Sequence, residues 1–207
     1  MSSGIRPFAV NLKQIRKVIG SKSKSLFREL REEFEDELAE DREAVEEANL
    51  DDDFDPELMI EDALRHLIMD EERWDYEGSK YARAVEMLCT FYGDILPNDH
   101  WTTAPANWIE TVSDAIQDSG VSAETFSLLG HLLQRGSPIE LPEIEEFPWV
   151  GYLKNTEIPA VLESLTEERI ARLKLRDAAR LKVSLLQLRE WLETCVRDKS
   201  DLVCFYD

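Results

Sequence analysis

The 207 residues carry 44 acidic side chains against 24 basic ones, a formal charge of −20, with 43% hydrophobic and 9% aromatic residues. That much apolar side chain suits a folded core and excludes disorder throughout, and the negative field works against general nucleic-acid binding and against anionic membranes while attracting basic protein surfaces. No apolar run reaches the roughly eighteen residues of a membrane span, and the opening MSSGIRPFAV lacks the apolar stretch of a signal peptide, so a cytoplasmic chain is expected.

The charge is segregated. Residues 1 to 28 hold seven basic side chains (Arg6, Lys13, Arg16, Lys17, Lys22, Lys24, Arg28) and no acidic one. From Glu29 to Asp62 the chain then holds eighteen Asp and Glu against only Arg31 and Arg42, a local charge of about −16. The basic and acidic blocks are expected to neutralise each other in part, with little stability gained per exposed pair.

In chain order, Phe8, Val10 and Leu12 alternate with polar or small residues and predict a short strand after Pro7. Asn11 and Gln14 form a capping-box variant for a helix through Leu12, Ile15, Val18 and Ile19, closed by Gly20. Ser21 or Ser23 caps the next helix, whose Leu26, Leu30, Phe34 and Leu38 recur every fourth residue, with Val45 beyond; the other positions are mostly acidic. One amphipathic helix with an acidic outer face is expected there, held by burial of its stripe. Asp55, Pro56 and Glu57 supply the cap, first-turn proline and acid of a helix running to Asp70, with Ile60, Ala63, Leu64, Leu67 and Ile68 inward. Ser79 opens a helix with Tyr81, Ala84, Val85, Leu88, Cys89 and Tyr92 on one face, ended by Gly93. Two further helices are predicted over Pro105 to Asp118 and Ala123 to Gln134. Pro138, Pro142 and Pro148 make 137–153 an ordered, proline-rich loop in which Trp149 to Leu153 adds a short strand. Thr156 and Thr166 start helices, the last running from Glu167 to about Arg197, and Leu202 to Tyr206 is a terminal strand able to pair with Phe8 to Val10.

The chemistry-bearing patterns are weak. Asp51, Asp53, Asp55 and Asp62 have calcium-loop spacing, yet Pro56 occupies the position where such a loop needs glycine, so a solvated acidic turn is expected. Asp62, His66 and Asp70 form a carboxylate, imidazole and carboxylate row at i, i+4 and i+8, a weak candidate metal set on the polar side of its helix and without a second histidine or cysteine at ligand spacing. His100 and His131 stand alone and read as hydrogen-bonded loop or interface residues. Cys89, Cys195 and Cys204 lie in apolar settings that raise a thiol's pKa and point to buried, reduced cysteines. No nucleophile elbow, phosphate loop or dinucleotide fingerprint is present, so no catalytic residue and no cofactor is assigned. Trp101 and Trp149, with Phe147, sit in loop-like settings that suit core lids or a binding surface.

Phe8-Ala9-Val10-Asn11-Leu12, Ala63-Leu64-Arg65-His66-Leu67-Ile68, Phe147-Pro148-Trp149-Val150-Gly151-Tyr152-Leu153 and Leu202-Val203-Cys204-Phe205-Tyr206 together resemble a family of uncharacterised bacterial proteins and, more distantly, the YfbM-like family. The resemblance covers most of the chain. It implies an α+β fold whose terminal strands share a small sheet with helices around it, and it implies no activity, cofactor or catalytic residue.

The expectation is therefore one mainly helical α+β domain over 1–207, with about seven helices around a sheet of the two terminal strands. It acts by binding a basic protein surface, as an immunity protein or a nucleic-acid mimic would, through Glu33, Asp36, Glu37, Glu40, Glu43, Glu47, Trp101 and Trp149. The alternative is an enzyme or a small-ligand or metal-binding protein whose pocket is assembled from distant residues such as Asp62, His66 and Asp70.

Overall fold

Strand β1 (Ile5–Val10) and strand β4 (Asp201–Tyr206) pair antiparallel, with Phe8 opposite Val203, so the two chain ends meet in the sheet as their β-forming residues predict. The computed structural model describes residues 4–48, 57–102, 107–145, 147–173 and 178–207. Strands β2 (Gly93–Ile95) and β3 (Trp149–Leu153) complete a four-stranded antiparallel sheet in the order β2-β1-β4-β3. The fold is α+β and mainly helical, with nine α-helices among the described residues.

The chain gathers into two compact units. The first comprises 1–12, 93–138 and 149–207 and contains the sheet. Ile5, Ala9, Leu202, Cys204 and Tyr206 on one sheet face join a core with α6 (Trp108–Asp118), α7 (Ile158–Ser164), α8 (Glu167–Arg172) and α9 (Ala178–Asp198). Phe8 and Phe205, on the other face, meet edge to face at 5.7 Å. Along α9, Leu181, Leu185, Leu188, Trp191, Leu192 and Cys195 repeat at helical spacing and are buried. Gly151 lets β3 lie against a π-helical segment, Leu128–Leu133, since a Cβ there would stand 2.2 Å from the Leu132 carbonyl carbon.

The second unit comprises 13–92 and 139–148. After α1 (Leu12–Val18), Gly20 takes a positive φ and its N–H donates to Leu67 O. Ser23 caps α2 (Lys24–Glu33) through Leu26 N, as its position predicts. Leu26, Leu30, Phe34, Leu38 and Val45 are all buried, but the helix expected across them is two, α2 and α3 (Glu35–Ala48), separated at Phe34 with φ −109° and ψ 31°. A row at every fourth residue turns by about 40° per step around a helix of 3.6 residues per turn. The departure from helical dihedrals at Phe34 interrupts that rotation and keeps the stripe inward.

Helix α4 (Ile60–Met69) begins later than Pro56, because Asp41 Oδ2 accepts from Ile60 N at 2.6 Å and Glu77 Oε1 from Leu58 N at 3.2 Å, which hold 57–59 outside the helix. Pro56 and the aspartates of the calcium-like loop at 51, 53 and 55 lie outside the described residues. Helix α5 (Gly78–Tyr92) buries Tyr81, Ala84, Val85, Leu88 and Cys89 as expected. Its Gly78 is pressed against the loop at 139–148, a Cβ there falling 2.0 Å from Glu143 O.

Two other predicted helices differ. Over Ala123 to Gln134, the Ser122 and Thr125 side chains bond local backbone and each other, leaving only the π-helical turn at Leu128–Leu133. The single helix from Glu167 to Arg197 is instead α8 and α9, with Leu173 leaving helical geometry at ψ 125°. No helix among the described residues is long and apolar enough to cross a membrane.

Candidate functional site

Helices α2, α3 and α4 carry the described part of the acidic stretch. The carboxylates fall into two sets. Asp41 and Glu61 turn towards neighbouring helices: Asp41 Oδ1 accepts from Lys80 Nζ on α5 at 2.7 Å, and Glu61 receives Arg31 Nε of α2 at 2.7 Å and Arg42 Nη2 of α3 at 2.8 Å. The two arginines of the acidic stretch thus meet on one glutamate, tying α2 and α3 to α4. Glu33, Asp36, Glu37, Glu40, Glu43 and Glu47 are all exposed and have no ion-pair partner among the described residues. Of the seven basic residues that precede the stretch, Arg28 reaches it, with Nε 4.0 Å from Glu32 Oε1 and both side chains three-quarters exposed. Such a pair contributes little.

A cleft of about 330 Å³ opens beside the Glu61 junction, lined by Arg28, Arg31, Arg42, Glu32, Glu35 and Glu61 over Leu38 and Ala39. Asp62, His66 and Asp70 take no part in it.

That row does not converge. Asp62 pairs with Arg65 at 3.1 Å and Asp70, in the left-handed conformation that ends α4, pairs with Lys22 at 3.3 Å. His66 does not lie on a polar side as expected; it is 7% exposed, and Tyr81 Oη stands 2.8 Å from its Nδ1. The same hydroxyl accepts from Trp74 N at 2.9 Å, which directs its own proton to the imidazole. Burial, and then Arg65 beside it, push the His66 pKa down, against the weaker pull of Glu71 and Asp62. Neutral His66 is thus a hydrogen-bonded link between α4, α5 and the connector at Trp74. No group of three metal-ligating side chains occurs among the described residues.

The other single residues have structural surroundings. Buried Gln187 and Ser184 on α9 hold the His100 backbone, by His100 N to Gln187 Oε1 at 3.0 Å and Ser184 Oγ to His100 O at 3.1 Å. His131 Nδ1 accepts from Ser127 N at 3.0 Å. Cys89, Cys195 and Cys204 are buried and unpaired; burial pushes Cys195 up to about 11 and the other two well above the usual thiol range. Trp101 is 1% exposed and lies 5.4 Å from Trp191, which makes it core, one of the two settings its loop left open, and takes it off any binding surface. Trp149 is half-buried on β3, 5.6 Å from Tyr206.

Sequence reasoning missed the cleft and the Glu61 junction. The available signal was the isolation of Arg31 and Arg42 among eighteen acids, since a basic side chain so placed has carboxylates on every side to choose from.

No curated protein and no solved structure matches the chain. One family model matches all of residues 1–207, and its description names no YfbM-like protein. The chain belongs to that family, the domain of unknown function DUF7691.

Proposed function

We propose that the protein acts by binding, and that the outer face of α2 and α3 docks a basic protein surface in the manner of an immunity protein or a nucleic-acid mimic. The observation that carries this is the set of exposed carboxylates Glu33, Asp36, Glu37, Glu40, Glu43 and Glu47, left without ion-pair partners among the described residues while Arg31 and Arg42 of the same helices pair with Glu61. Within α3, Asp36 and Glu40, Glu40 and Glu43, and Glu43 and Glu47 are like-charged neighbours three or four residues apart, each costing a few tenths of a kcal/mol. A cationic surface relieves that repulsion on contact, and the field of the face speeds encounter. Three unpaired thiols support the reading that the encounter takes place in a reducing compartment such as the cytoplasm.

The test compares the wild-type chain with a variant carrying E33Q, D36N, E37Q, E40Q, E43Q and E47Q. Basic proteins recovered on the wild type are purified and titrated calorimetrically against both. The expected result is a stoichiometric complex that weakens at least about tenfold between about 50 and 300 mM salt and is lost with the variant. Equal binding by the two chains, or indifference to salt, overturns the proposal.

A further inference from the structure

The cleft beside Glu61 differs in charge from the surface around it. Three guanidinium groups face three carboxylates there, whereas the face beyond is acidic. A guanidinium presents five N–H donors in a planar fork that matches the two oxygens of a carboxylate. Few of those donors are used. Arg31 Nε pairs with Glu61 at 2.7 Å, Arg28 Nε stands 4.0 Å from Glu32, beyond hydrogen-bond reach, and the terminal Nη groups of both have no hydrogen-bond partner among the described residues. The Arg31 guanidinium lies over the Phe27 ring at 5.8 Å, a contact that favours one position for its fork.

A free anion is repelled by the surrounding carboxylates before it reaches these arginines. A carboxylate carried among the cations of a basic protein is not, because the partner's net positive charge brings it in and the open forks receive it at contact. We propose that the cleft between α2, α3 and α4 receives one Asp or Glu side chain of the basic partner and so fixes the register of the two surfaces. This rests on the docking proposal above and adds an anionic contact inside a cation-seeking face.

Two synthetic pentapeptides test it, each with two lysines on either side of a central residue that is glutamate in one and glutamine in the other. Net charge alone ranks the glutamine peptide, one unit more positive, as the tighter ligand. The proposed site reverses the order, so the wild-type chain is expected to bind the glutamate peptide about fivefold more tightly by isothermal titration at about 20 mM salt. In Arg28→Gln, which loses only the long contact to Glu32, and in Arg31→Gln, the glutamine peptide becomes the tighter ligand; thermal unfolding confirms that each variant is folded. A wild-type preference for the glutamine peptide overturns the cleft as a carboxylate site and leaves the docking proposal standing. A glutamate preference that survives both substitutions overturns it too, since the selectivity then arises elsewhere. Binding of neither peptide overturns both proposals.

Discussion

Replacing Asp41 by alanine separates the carboxylates that build the fold from those that decorate it. Asp41 lies within the acidic stretch on α3, but its side chain is only 10% exposed and makes two contacts: it accepts from Ile60 N at the start of α4 and pairs with Lys80 on α5. Loss of a capping acceptor costs about 1 kcal/mol, and loss of the negative charge at a helix N-terminus about another 0.5. The Lys80 pair, largely shielded from water, adds about 1 more. Alanine's better helix propensity within α3 returns about 0.5, which leaves a net loss of about 2 kcal/mol. For a chain of this size that is about 4–8 °C in Tm. Urea and thermal unfolding followed by circular dichroism measure it, with Glu40→Ala, the exposed neighbour, expected to stay within about 0.5 kcal/mol of wild type. Asp41→Asn keeps an oxygen for Ile60 N–H and should lose about half as much. If Asp41→Ala and Glu40→Ala unfold together, the tie between α3, α4 and α5 is not what holds the start of α4.

Tyr81→Phe removes the hydroxyl shared by Trp74 N and His66 Nδ1 and is expected to cost about 2 kcal/mol in urea unfolding; a loss under about 0.5 would show that the bonds are not maintained. Burial holds the folded His66 pKa below its unfolded value of 6.5, so the unfolded chain takes up the proton first and stability falls as the pH drops below about 6.5. Wild-type Tm should therefore decline more steeply between about pH 7 and 5.5 than that of His66→Gln, and equal slopes would refute it. The hydrogen bonds from Arg135, at 2.9 Å to each oxygen, hold the Glu157 carboxyl below its ordinary range. Its contribution is present above the unfolded value of 4.5 and is lost as the pH falls through the lower folded value, so Glu157→Gln should flatten the acid limb of the Tm curve. The buried thiols of Cys89, Cys195 and Cys204 should resist a disulfide reagent at about pH 8 in the native chain and react in denaturant; rapid native labelling of any one would contradict its burial.

Much of the fold was legible where one physical rule governs a segment. The alternating β-formers at both ends, the stripe from Leu26 to Leu38, the Ser23 cap and the inward face of α5 follow from periodicity and capping alone. The errors lie where a distant group decides. Asp41 sets the start of α4 from nineteen residues upstream, which no local cap at Asp55 could reveal. The aspartates at i±4 put His66 on the polar side by pattern alone, yet Tyr81 on α5 offers it a buried partner. Strand β2 escaped notice because Gly93 closes α5 and opens the strand at once, and three residues carry too little pattern to show. The candidate site was legible as an acidic face and illegible as a cleft, since the cleft depends on Arg31, Arg42 and Glu61, on three different helices, meeting in space.

The concentration of charge also distinguishes a docking face from a merely solubilising one. Outside Glu29 to Asp62 the chain holds 26 acidic and 22 basic residues, so about −16 of its −20 sits in that single stretch. Solubility asks only for net charge, and spreading it would lower self-repulsion. A control set exists on the same chain: Glu72, Asp99, Glu110, Asp114, Asp118 and Glu124 are exposed and without ion-pair partners among the described residues. Amide substitution of either sextet brings the charge from −20 to about −14 and should change solubility alike, as precipitation by a crowding polymer would measure. Stability should hardly separate them: each set removes like-charge neighbours, along α3 in one and Glu110, Asp114 and Asp118 along α6 in the other, and each loses acids from a first turn, Asp36 and Glu37 in α3 and Glu110 in α6, so both should stay within about 0.5 kcal/mol of wild type. Binding of the basic partner should fall with the first set alone. If both sextets weaken it equally, net charge and not the α2 and α3 face is what the partner reads, and the proposed docking surface is wrong.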